Sequence, residues 1–120
     1  MRNKLGKIWG NTCNIFNKNN VEIHRIEIKK GGYCSKHQHA YKYNLFFVES
    51  GRLKVVVCKN DYNLEDITIL EVGESTIVPY GEYHRFEALE KTVCYEIYWV
   101  ELNPQDIIRE DCGGNFKKQL

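Results

Sequence analysis

Long stretches of a single chemistry are what this chain lacks. No apolar run approaches the roughly 18–20 residues that a membrane-spanning helix needs, so a helical span is excluded. No charge predominates either: 17 Lys and Arg face 16 Asp and Glu, interleaved along the chain, for a formal net charge of +1. That balance gives no electrostatic reason to bind nucleic acid or an anionic membrane surface. The five cysteines, Cys13, Cys34, Cys58, Cys94 and Cys112, contain no CxxC pair. An odd count with wide gaps fits neither a disulfide framework nor a thiolate metal site. They read as reduced packing residues, with Cys34 near enough to the histidines to be the candidate reactive thiol. Internal repeats, low-complexity tracts and linkers are also missing. Met1-Arg2-Asn3-Lys4 is basic, but Gly6, Lys7, Trp9, Gly10 and Asn11 follow it instead of an apolar signal core. A cytoplasmic protein is therefore expected.

What is present is a string of short β-prone runs punctuated by turns. A chain of 120 residues with 42% hydrophobic and 28% charged residues has the composition of one globular domain. Val21 to Ile28 ends at Lys29-Lys30-Gly31-Gly32, and Leu45 to Glu49 is joined through Ser50-Gly51 to Arg52 to Cys58. The latter pair is a hairpin candidate. Ile67 to Leu70, Ser75 to Val78 and Tyr83 to Glu87 follow, separated by Gly73 and by Pro79-Tyr80-Gly81. Thr92 to Glu101 is the longest run, apolar or aromatic on both faces. Val, Ile, Tyr, Phe and Thr dominate these runs, as half-buried pleated surfaces favour. Only the stretch from Asn103 to Arg109 has helical signals, an Asn N-cap followed by Pro104. The class is all-β, a sandwich or barrel, with a core over about residues 20–101, an N-terminal arm (1–19) and a C-terminal helix and tail (102–120).

Three of the four histidines stand at informative positions. His37 and His39 are two residues apart, so on a strand both imidazoles point to one face. That suits two ligands converging on one ion at about 2.0–2.1 Å. His84, just after the Pro79-Tyr80-Gly81 turn, can supply the third from a strand passing nearby. Most His-x-His pairs are surface or satisfied core histidines, so the surrounding spacing carries the weight. Gly31-x5-His37-x-His39-x4-Asn44-x6-Gly51 forms one half, and Gly73-x5-Pro79-x-Gly81-x2-His84 the other. The two halves resemble the cupin superfamily motifs, G-x5-H-x-H-x3,4-E-x6-G and G-x5-P-x-G-x2-H-x3-N. The resemblance implies a single-domain jelly-roll barrel, a double-stranded β-helix, with a divalent metal on His37, His39 and His84. It also implies a homodimer. Asn44 replaces the glutamate of the first motif, and Ala88 the asparagine of the second. Three neutral imidazoles and at most the Asn44 amide leave the ion its full charge. Such a site favours zinc, iron, nickel, manganese or copper over magnesium or calcium and attracts an anionic ligand. Asn44→Glu, which restores the carboxylate, is expected to tighten metal binding.

A narrower resemblance covers most of the chain. Cupin-type mannose-6-phosphate isomerases, and the matching domain of mannose-1-phosphate guanylyltransferases, share the near-N-terminal Trp9-Gly10 pair. They also share a histidine segment like His37 to Phe46, a turn like Tyr80 to Arg85, and an ending like Glu96-Ile97 with Asp106 to Asp111. Here His37 stands for that family's Gln, Lys42 for its Arg and Asn44 for its Glu. The resemblance implies isomerase or epimerase chemistry on a small polar, anionic, sugar-like ligand. Such chemistry needs a base near the carbon proton and an electrophile on the carbonyl oxygen. Glu96 is the base candidate if it points inward; an outward charge between Tyr95 and Ile97 is the plainer alternative. Lys42, Arg85 and Arg109 are candidate clamps for the anion, and Tyr41, Tyr83 and Trp99 candidate ring surfaces for the sugar. His24, between Ile23 and Ile26, reads as structural. Two other functions stay open: a non-catalytic small-molecule binder, and an Fe(II) oxygenase using three histidines.

Overall fold

Side chains that alternate between apolar and polar pin each strand to the core by one face. The computed structural model describes residues 3–59, 64–100, 108–110 and 112–115, and among these lie nine strands and no helix. They are β1 (Asn3–Lys7), β2 (Gly10–Lys18), β3 (Val21–Ile28), β4 (Tyr43–Ser50), β5 (Leu53–Lys59), β6 (Leu64–Leu70), β7 (Ser75–Val78), β8 (Tyr83–Ala88) and β9 (Thr92–Trp99). One sheet has the order β1-β2-β3-β9-β4-β7 and the other β6-β5-β8. Every pairing is antiparallel. The inner faces meet around Ile26, Ile28, Phe46, Val48, Leu53, Val55, Phe86, Ala88 and Cys94, all nearly inaccessible to solvent. This all-β arrangement is consistent with a jelly roll.

Register sorts the inward side chains into layers. Ile28–Thr92 and Ile26–Cys94–Val48 lie at the apolar end of the larger sheet. Next comes His24–Glu96–Phe46, then Glu22–Tyr98–Asn44–Val78. The interior thus changes from hydrocarbon to polar along its length, and the polar end receives the histidines.

Three details differ from the sequence expectation. The stretch expected as an N-terminal arm forms β1 and β2, which extend the larger sheet from β3. Asn11, Asn14, Asn17 and Lys18 give β2 little strand propensity, so pairing with β3 decides its conformation. The segments flanking Ser50-Gly51 are not a hairpin, because β4 pairs with β7 and β9 while β5 pairs with β6 and β8. The chain changes sheet there. The Thr92 hydroxyl fixes the crossing, accepting from the Arg52 N–H at 3.1 Å and donating to the Glu90 carbonyl at 2.9 Å. The helix expected over 103–109 falls on residues 103–107, outside those described; Ile108 and Arg109 are exposed and carry no helix.

Gly51 makes the sheet change possible. Its φ is 91°, and a Cβ there would stand 2.3 Å from the Lys91 carbonyl oxygen and 2.6 Å from Thr92 Oγ1. Gly51→Ala therefore combines left-handed strain with overpacking against backbone, and should cost about 2–4 kcal/mol. Chemical denaturation measures it; a loss below about 0.5 kcal/mol would show that the crossing relaxes freely.

Candidate metal centre and its cleft

The first motif does not lie on a continuous strand. Residues 29–42 form a loop that turns at 30–31 and passes beside β8, where bridges join Tyr33 to Glu87 and His37 to His84. The His37 N–H donates to the His84 carbonyl at 3.0 Å, and the His84 N–H returns the bond at 2.8 Å. The Gly81 N–H donates to the His39 carbonyl at 2.7 Å, tying the turn before His84 to the same segment. Backbone pairing thus sets the three imidazoles side by side, with centroids 4.6–5.4 Å apart. One nitrogen from each lies within 4.8 Å of the others, so the triad could hold a metal ion.

Hydrogen bonds select the nitrogens. His37 Nδ1 lies 2.7 Å from the Ser35 carbonyl, and His84 Nδ1 lies 2.9 Å from that of Glu82. A carbonyl only accepts, so both Nδ1 atoms carry the proton and both Nε2 atoms keep a lone pair for a ligand. Three buried side-chain atoms have no hydrogen-bond partner among the described residues: His39 Nε2, His84 Nε2 and Asn44 Oδ1. Uncompensated burial of such atoms is costly, and a divalent ion accepts electron pairs of these types. The donor set therefore fits a transition metal.

Burial, then the nearby His37, His84 and Lys42 charges, pushes the His39 imidazole down to about 4. Burial also lowers His84. Neutral imidazoles are the metal-binding form, so protons compete little at neutral pH. An unfolded histidine titrates near 6.5. Between that value and about 4 the unfolded chain takes up protons that folded His39 refuses. Metal-free stability should therefore fall as the pH drops from 6.5 towards 4. Denaturation midpoints measured with a chelator check this. His39→Gln should flatten the slope, and an unaltered slope would assign the titration to other groups.

Glu96 faces inward, 8% exposed, in the layer below the triad. Its Oε2 accepts from the Tyr98 hydroxyl and from Asn44 Nδ2, the latter at 3.2 Å. Burial, then the Glu96 carboxylate, raises the Tyr98 phenol far above its ordinary value, so it stays protonated. A cleft of about 360 Å³ opens on this group, lined among others by Trp9, His24, His37, Phe86, Glu96 and Tyr98. A larger concavity of about 640 Å³ runs from Lys7 to Trp9 and from Lys29 to Ser35, but no histidine or carboxylate lines it. Of the two, the smaller is the one lined by histidines and a buried carboxylate.

Of the residues singled out in the sequence, His37, His39 and His84 come together, and Asn44 and Glu96 bond to each other beside Tyr98, whose ring lies 5.1 Å from that of His39. Lys42 stays close, its Nζ 5.1 Å from the centre of the Tyr98 ring. The others fall elsewhere. Trp99 lies on the outer face, stacked at 5.5 Å on Tyr43. Tyr41 is 79% exposed. Tyr83 and Arg85 alternate with the inward His84 and Phe86, so they point outward, and Lys36 sits 5.9 Å above the Tyr83 ring. Arg109 is exposed, outside the sheets. Cys34 lines the cleft but is no reactive thiol: burial raises it to about 11, and its Sγ accepts from the Phe86 N–H at 3.2 Å. Tyr98, His24 and Trp9 are additions. His24 lies opposite Glu96 in register, with Nε2 3.2 Å from Glu22 and its ring edge-on to Tyr98 at 5.7 Å. The alternation that turns Glu96 inward also turns Tyr98 inward, so placing either one would have placed both.

Two antiparallel sheets enclosing a histidine triad define a small barrel with a candidate metal centre. Residues 24–101 match the cupin domain family, and the chain belongs to it. No curated protein matches the chain. Among solved structures it is similar to KdgF from Halomonas sp., with TM-score 0.70, 14% identity, and coverage of 83% of this chain and 89% of that one. It is also similar to the cupin domain of Schizosaccharomyces pombe Cnp3, with TM-score 0.69 and 15% identity, covering 82% and 69%. A variant of Bacillus subtilis oxalate decarboxylase gives TM-score 0.72 and 15% identity, covering 83% of this chain but 27% of the enzyme. Likeness at these identities establishes the fold alone.

Proposed function

We propose that this cupin binds one divalent transition metal on His37, His39 and His84 and acts on a small, anionic, sugar-like ligand as an isomerase or epimerase. The carrying observation is a buried carboxylate with a spare oxygen on the cleft that His37 also lines. Among the described residues both hydrogen bonds to Glu96 end on Oε2, which leaves Oε1 for a ligand. Among the similar structures, oxalate decarboxylase is by name an enzyme of a small anion, and one of its structures is described by Mn(II) centres. Both features agree with a charged ligand beside a metal.

In this reading Glu96 Oε1 takes a proton from the hydroxyl-bearing carbon next to the ligand's carbonyl and returns it to the former carbonyl carbon, while the hydroxyl proton passes from its own oxygen to the former carbonyl oxygen. The broken C–H bond becomes the carboxyl O–H, and the return step restores both. A bound ion would supply Lewis-acid polarisation of the carbonyl oxygen. Tyr98 and Asn44 hold the carboxylate still, Trp9 offers an apolar wall to the sugar ring, and Lys7 and Lys42 attract the anionic group. Proton–deuterium exchange at the carbons of a hexose phosphate, with metal-loaded protein, tests the reading. Exchange at the carbon beside the carbonyl supports it. Silence across several sugar phosphates favours a binder, and oxygen uptake with Fe(II) an oxygenase.

A further inference from the structure

We infer that Asn44 presents its side-chain carbonyl to the ion held by the three histidines, and that Glu96, braced by Tyr98, is the positioning residue that turns the amide that way. The inference rests on the metal reading above and deepens it. Asn44 is completely buried, on the inward face of β4 opposite Val78 and Tyr98. An amide has one donating and one accepting end, and its partner decides which is which. The atom 3.2 Å from Glu96 Oε2 must be Nδ2, because a carboxylate oxygen accepts. Oδ1 is thereby left buried and unpartnered, in the same condition as His39 Nε2 and His84 Nε2. A flipped amide would set two acceptors against each other, so the carboxylate locks the orientation. The Tyr98 hydroxyl donates to that same Oε2 and holds the carboxylate in place.

The cupin motif carries its negative charge at position 44. Here the charge stands one hydrogen bond behind that position, where it polarises the amide and makes Oδ1 a better donor to a cation. This reverses the expectation that Asn44→Glu tightens metal binding. That substitution replaces the amide N–H that buried Glu96 accepts with a second carboxylate, setting two acceptors against each other. The exchanged pair, Asn44→Glu with Glu96→Gln, restores a donor facing an acceptor, with the charge now next to the ion.

The test is Co²⁺ affinity by competition with a chelating dye, read with the d–d spectrum, in the full chain. Asn44→Ala and Glu96→Leu should each weaken Co²⁺ binding by about ten- to a hundredfold and change the spectrum. In the double variant Glu96→Leu should add less than about twofold, because it acts through Asn44. The exchanged pair should bind more tightly than wild type, and Asn44→Glu alone more weakly. Melting in chelator reports folding; should Glu96→Leu fail to fold, Tyr98→Phe removes one hydroxyl and should show the same non-additivity. If His39→Ala abolishes binding while Asn44→Ala leaves affinity and spectrum unchanged, or if the Glu96 effect adds in full, this inference falls and the histidine site stands. If wild type takes up no Co²⁺, both fall together.

Discussion

His39→Ala takes the bound divalent ion from near one per chain to near none. The three imidazoles are the only groups of three or more His, Cys, Asp or Glu among the described residues that could hold an ion together, so losing one leaves two nitrogens and an amide oxygen. Elemental analysis of untagged protein reads the stoichiometry directly. Stability follows, because a ligand that binds only the folded state adds about 2.7 kcal/mol at a hundredfold excess over Kd. For a domain of this size that corresponds to a melting shift on the order of 10 °C. A chelator should lower the wild-type Tm by that amount and leave His39→Ala unmoved. His39 is the better choice because His84 is 1% exposed with its ring 6.4 Å from Phe46, so truncating it would also open a core cavity. Wild-type protein that melts identically with and without chelator would sink the metal reading.

The histidine triad was legible in the sequence because its signal is a spacing, and spacing survives folding. His37 and His39 keep adjacent rings even though their segment is a loop bridged to β8 at only two places. The direction of Glu96 was not legible. Its strand is apolar on both faces because Trp99 stacks on Tyr43 outside while Cys94 packs inside, and periodicity needs a contrast between faces. Tyr98, on the same strand, was hidden for the same reason. The supposed hairpin at Ser50-Gly51 failed for another cause. A two-residue turn signal is local, whereas the sheet change depends on Thr92, forty residues away. The polar strand β2 was invisible because its pairing with β3, not its composition, makes it a strand.

Glu96→Gln is expected to reduce carbon-proton exchange by a factor of about 10²–10⁴, the usual contribution of a positioned general base. The substitution separates the two oxygens by role. A glutamine carbonyl can still accept from Tyr98 and from Asn44 Nδ2, so the hydrogen bonds that Oε2 now receives survive. Metal occupancy at saturating ion should then hold while the amide, which takes up no proton, stops the transfer step. Glu96→Asp keeps the carboxylate but withdraws it by one methylene, so its exchange should lie between the two. That ordering distinguishes proton transfer from packing, since a packing defect would make aspartate the worse replacement. Saturating with ligand should not rescue Glu96→Gln, because the loss falls on the rate of the step and not on ligand affinity. Exchange within tenfold of wild type, in a protein that keeps its metal, would remove Glu96 as the base and leave it only its grip on Asn44.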